Sequence, residues 1–230
     1  MRNIFLPALA LASMLSPSSV LAKDGEAGER LNSAADVLSD MMKASDKGIP
    51  QDLMNKADCV VIVPNLKKAA FVVGAKYGRG FAVCRRAGGS GWTAPASIRI
   101  EGGSFGFQIG GSEQDVLLLV MNETGMKQLL SDKFTLGGEA TAAAGPVGRE
   151  ASAQTDAAMR AEMLSYSRSR GLFAGISLQG ATLRPDADAN RELYGHDIFN
   201  KEILTGDVKA PEPAAKLESL LNTNSMRRSR

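Results

Sequence analysis

Between Cys59 and Ile100 the chain carries seven cationic side chains, Lys67, Lys68, Lys76, Arg79, Arg85, Arg86 and Arg99, and no carboxylate. Ammonium and guanidinium groups at this density suit one task above others, which is to hold anions, phosphates in particular. The whole chain has 27 Lys+Arg against 25 Asp+Glu, so the local excess must be offset elsewhere. Residues 23–58 carry 5 basic and 8 acidic groups, 101–154 carry 3 and 7, and 187–222 carry 4 and 7. Charge segregated this way builds a local positive field whatever the net charge.

The cations differ in setting. Lys67 and Lys68 follow Pro64-Asn65, which predicts a turn leaving a first strand, where they either meet phosphates or are solvated. Arg85 and Arg86 are adjacent, so in a strand they point to opposite faces. Arg79, Phe81, Val83 and Arg85 share a face and mix cations with apolar surface. That mixture suits a lipid headgroup region, or an ordinary sheet whose end residues snorkel. Trp92, the one tryptophan, either anchors at a membrane interface or caps a core.

Other chemistry has weaker support. Gly102-Gly103-Ser104-Phe105-Gly106 matches G-x-S-x-G, which carries a nucleophile only where a strand turns sharply into a helix. Its one available base is His196, the single histidine. With one His and two separated Cys there is no zinc-type ligand set, and no phosphate loop of the G-x-x-x-x-G-K-[ST] kind occurs. The residues therefore hold no strong catalytic constellation. Cys59 and Cys84 lie in apolar, strand-like runs and read either as a disulfide or as two buried small hydrophobes.

The elements that must position these groups follow from period and punctuation. Helices are expected over Gly28–Ile49 and Gln51–Ala57. Short strands follow at Cys59–Val63, Ala70–Lys76, Gly80–Arg86, Ser97–Glu101, Phe105–Ile109 and Asp115–Met121. A helix at Glu123–Asp132 precedes strand-like runs at Phe134–Ala144, Met163–Arg168, Leu172–Leu178 and Ala181–Arg184. Helices return at Asp188–Tyr194, Asn200–Thr205 and Pro213–Asn222. Nineteen of the 24 glycines fall between Gly74 and Gly180, which predicts a strongly curved sheet. The fold class expected is α+β: a curved, glycine-rich, mainly antiparallel, barrel-like sheet with N- and C-terminal helices. One domain covers 23–222, with a helical lead-in at 28–57, a sheet core at 59–184 and C-terminal helices at 188–222. Residues 223–230 form a basic tail.

Residues 1–22 have one cation (Arg2), an apolar run from Ile4 to Leu15 and a small-residue end at Ala22, the pattern of a secretory signal peptide. Export, with a bacterial periplasm as its destination, would place the cysteines in an oxidising compartment and argues against nucleic acid as the anion. Nothing in the residues sets an oligomeric state.

Four blocks in order carry a family resemblance: PNLKKAAFVVGAKYGRGFAVCRR, GWTAPASIRIEGGSFGFQIGGSEQDVLLLVMN, LGGEATAAAGPVGR and SYSRSRGLFAGISLQGATLRPD. Together they resemble the SYLF lipid-binding domain from about Leu31 to Leu221. The resemblance implies binding of anionic phospholipid at a membrane surface, phosphoinositide-type in eukaryotic relatives, without catalysis or cofactor. Eukaryotic members are also associated with actin; in an exported protein that partner is discounted, and phosphatidylglycerol, cardiolipin or lipid A phosphates are expected instead. The site residues expected are Lys67, Lys68, Lys76, Arg79, Arg85 and Arg86, with Trp92 as an anchor. The alternatives are a periplasmic lipid carrier, with lipid inside the curved sheet, and an envelope interaction protein using the acidic 187–222 segment.

Overall fold

The computed structural model describes residues 25–43, 48–71, 73–87, 91–105, 110–147, 161–169 and 171–225. The expected signal peptide lies outside the described residues, as do Gly106–Ile109 of one expected strand and residues 226–230 of the tail.

The first helix, α1 (Glu26–Lys43), buries Leu31, Ala34, Ala35, Leu38 and Met41 at helical spacing, with Glu26 and Glu29 in its first turn and Lys43 in its last. Pro50 opens the short α2 (Gln51–Lys56). Four long strands follow, β1 (Cys59–Phe71), β2 (Val73–Cys84), β3 (Ala96–Phe105) and β4 (Gly110–Val120). After α3 (Glu123–Leu129) come β5 (Phe134–Thr135), β6 (Ala142–Ala144), β7 (Met163–Ser169), β8 (Leu172–Gly175) and β9 (Thr182–Pro185). The chain closes with α4 (Ala187–Tyr194), α5 (Asn200–Thr205), a 3-10 turn at Glu212–Ala214 and α6 (Ala215–Asn224).

All nine strands join one curled sheet in the order β5-β9-β3-β2-β1-β4-β7-β6, with β8 also on β7. Every pair is antiparallel except β6 with β7. The sheet forms a half-barrel, and each side buries its own apolar cluster. On one face α1, α2 and α6 pack over Val60, Ile62, Phe81, Val83, Leu117, Leu119, Leu164 and Tyr166; we call it the helical face. On the other, Cys59, Val61, Val63, Leu66, Ala82, Ile98, Val116, Leu118 and Met163 meet Phe134, Leu136, Leu178, Leu183, Ile203 and Leu204. Side chains from both ends of the sheet meet there, so this is the inner face.

Three boundaries differ from expectation, each for its own local reason. Pro64 and Asn65 do not end β1 in a turn; they form a bulge. Asn65 takes φ 51, its N–H donates to Asp115 Oδ1 at 3.1 Å, and the register shifts between Ile62 and Lys67. A bulge accommodates a proline that the ladder cannot. Lys67 and Lys68 therefore sit on the strand, not on a turn. Gly80 admits the bulge, since a Cβ there would lie 2.0 Å from the Ile62 carbonyl oxygen. The expected single strands Ala70–Lys76 and Phe134–Ala144 are each divided. The first is split between β1 and β2, whose register pairs Phe71 with Val73. The second is split between β5 and β6 around Gly137, which takes φ 80. The start of the expected tail is packed: Ser225 is buried.

Candidate anion-binding face

The outer ends of β1, β2 and β4 (Lys67–Ala69, Ala75–Tyr77 and Gly111–Gln114) are exposed or half-buried, whereas their other ends are buried. Lys67, Lys68 and Lys76 belong to this projecting end. The structure does not bring the other expected site residues to it. Nine residues of extended chain separate Lys76 from Arg85, about 30 Å at about 3.3 Å per residue.

Arg85 lies at the opposite end and is 8% exposed. Its Nε donates to the Ala57 carbonyl at 3.0 Å, Nη1 to Ser225 O at 3.1 Å and Nη2 to Met54 O and Asn55 O at 3.3 Å. The guanidinium also stacks 4.4 Å over the Trp92 ring. It gathers carbonyls at the ends of α2 and α6, which need donors and favour a cation. Trp92 is 3% exposed and its Nε1 donates to Ser225 Oγ at 3.2 Å. The reading of Trp92 as a membrane anchor is corrected accordingly, because the ring is consumed by the helical-face core. Arg86 points to the other side, as alternation requires, donates to Trp92 O at 2.9 Å and pairs with Asp207. Arg79 is held by Asp186 at 2.5 Å and Glu26 at 3.1 Å. The hydrogen bond to Asp186 is the largest contribution raising its pKa. Arg79, Arg85 and Arg86 are thus each committed to partners within the fold.

Register sorts the remaining charges by face. On the helical face Lys67 meets Glu113 at 3.7 Å, Arg99 meets Glu101 at 3.0 Å, and Arg184 meets Glu101 at 3.3 Å. Arg168 reaches Asp40 at 2.6 Å and Asp115 at 3.1 Å. The inner face differs. Gly102, Lys76, Lys68 and Ser112 stand opposite one another across β3, β2, β1 and β4, and Gln114 lies two residues along β4. Lys76 Nζ donates to the Gln179 carbonyl at 3.4 Å. Burial first, and the Lys76 charge second, lower the Lys68 pKa. A groove of ≈ 800 Å³ at this end is lined by Lys67, Lys68, Ala69, Gly111, Ser112, Glu113 and Ser169.

The bulge decides this arrangement. Strict alternation from Cys59 would turn Lys67 inward; the extra residue at Pro64-Asn65 turns Lys68 inward instead.

Cys59 and Cys84 are direct cross-strand partners and form a disulfide, with Cα atoms 4.0 Å apart. Ser104 lies within β3 opposite Gly74, not on a strand-to-helix elbow. His196 is exposed, its Nδ1 2.9 Å from Tyr194 O. Elsewhere, Phe199 is 79% exposed beside a groove of ≈ 470 Å³ lined by Ala187, Asn190, Ile198 and Lys201 among others.

Comparison with known proteins follows the same outline. The profile of the family described as "Ysc84: Las17-binding protein actin regulator" matches residues 101–224. An SH3 domain-containing protein of Schizosaccharomyces pombe is 36% identical over 210 residues, 90% of this chain and 48% of its own length. The SH3 domain-containing YSC84-like protein 1 of Homo sapiens is 33% identical over 208 residues, 90% of this chain and 60% of that protein. LAS seventeen-binding protein 3 of Saccharomyces cerevisiae is 32% identical over 200 residues, 84% and 43%. The chain thus spans 43–60% of the length of these relatives. The family description names a protein partner and actin regulation, which overturns the expectation of phospholipid alone with actin discounted.

Proposed function

This chain belongs to the Ysc84/SYLF family, and from that premise we propose that it is a non-catalytic binding module with two kinds of partner. One is protein, of the actin-regulating class that the family description names. The acidic 187–222 segment suits that contact, because Phe199 stands 79% exposed there and large exposed aromatics are typical interface anchors. The other partner is anionic phospholipid. The observation that carries this second part is the projecting end itself, where Lys67, Lys68 and Lys76 stand with exposed Tyr77 and Leu172. Cations beside apolar side chains fit a headgroup boundary, where charge meets phosphate and apolar groups meet acyl chains. A lipid carrier fits the geometry less well, since Phe134, Leu136, Leu178 and Leu183 already fill the inner side.

Co-sedimentation with vesicles tests the lipid part. Phosphatidylglycerol or cardiolipin vesicles should retain the protein at low salt and release it as salt screens the contact. Equal retention by phosphatidylcholine vesicles would overturn it.

A further inference from the structure

Among the described residues, every cation at a helical-face position within the strands has a carboxylate within 4 Å: Lys67, Arg79, Arg99, Arg168 and Arg184. The inner face follows another rule. Lys68 and Lys76 oppose each other directly across β1 and β2, and neither has an ion pair among the described residues. Like charges at directly opposed positions destabilise a sheet, and the hydrogen bond from Lys76 Nζ to the Gln179 carbonyl at 3.4 Å leaves both charges without a counter-acid. Beside them, Gln114 Nε2 is buried with no hydrogen-bond partner among the described residues. A buried donor left unmet costs stability. Gln114 pairs with Leu66 while Lys68 pairs with Ser112, so Gln114 is a diagonal neighbour within reach of Lys68. Two ammonium groups, an amide and a hydroxyl thus share one face without a carboxylate paired to them among the described residues.

We propose that the inner face of the projecting end is a phosphate clamp, in which Lys68 and Lys76 grip one phosphate group and Gln114 and Ser112 donate neutral hydrogen bonds. Two cations without a counter-acid match a phosphomonoester, which carries close to two negative charges near neutrality, better than a singly charged diester. The inference narrows the lipid reading above and rests on it. It adds which face binds and which headgroup feature is selected.

The full chain is titrated with vesicles carrying phosphatidic acid, a monoester, or phosphatidylglycerol, a diester, at matched surface charge. Wild type should prefer phosphatidic acid. Lys68→Gln with Lys76→Gln should lower its affinity at least about tenfold and erase the preference. Arg99→Gln with Arg184→Gln, on the helical face, should keep the preference. The inner double variant should also unfold at higher denaturant, because it removes a like-charge pair; loss of binding from misfolding would show the opposite. Competition by glycerol 3-phosphate would assign recognition to the phosphate alone, and resistance to it would add the membrane surface. Wild-type binding without monoester preference, or a preference that survives the inner double variant, overturns the clamp while leaving general anionic binding intact. No binding to any anionic vesicle would remove both.

Discussion

Lys68 is half-buried on the inner face, directly opposite Lys76. Burial and, secondarily, Lys76 lower its folded pKa, while in the unfolded chain a lysine titrates near about 10.4. Below the folded value both states hold the proton and the full cost of the buried charge is present. As pH rises through that value the folded state sheds the proton first, so the cost is relieved up to the unfolded value. Wild type should therefore be less stable than Lys68→Gln at neutral pH, with the gap closing towards about pH 10. Denaturant midpoints of both proteins across that range check it; a constant gap would contradict the assignment. Arg85 presents the reverse case, a buried cation whose donors are met by carbonyls. Its sequence neighbourhood looked much like that of Arg86, and only the placement of α2 and α6 separates their roles.

At the scale of elements, the bulge in β1 governs the site. It needs Pro64, a positive φ at Asn65 and room beneath, which Gly80 supplies. Gly80→Ala would put a Cβ 2.0 Å from Ile62 O and 2.8 Å from Val63 Cα, backbone atoms that cannot swing away. It should cost about 2–3 kcal/mol in denaturant unfolding. Gly103→Ala, whose nearest such contact is 3.9 Å, should be close to neutral. Much of this level was legible. The strand-like runs Cys59–Val63 and Asp115–Met121 mark the start of β1 and the end of β4, and the helical pattern after Gly28 marks α1. What alternation misses is an interruption within a strand. Pro64-Asn65 reads locally as a stop, and only pairing on both sides with β2 and β4 makes it a bulge. The inward turn of Lys68 was hidden for that reason.

For the whole molecule, the α+β class and curled sheet were readable from glycine content and from helical patterns at both ends. The dispersal of the seven cations was not, because it depends on the length of β2 and on acids that distant segments bring back. Glu26 from α1, Asp186 ahead of α4 and Asp207 after α5 each reach a cation of the block. Composition counted those acids but could not place them. The Cys59–Cys84 bond has a further effect at this scale. It sits at the buried base of the β1–β2 hairpin, so the 24 residues between the cysteines, including Lys67, Lys68 and Lys76, belong to a covalently closed ring. A trypsin cut after Lys67 or Lys76 would then sever the backbone without freeing a fragment. The two halves should migrate together on a non-reducing gel and part only when dithiothreitol is added. A site that meets its ligand at the tip of a ring can be nicked there and still keep both of its strands.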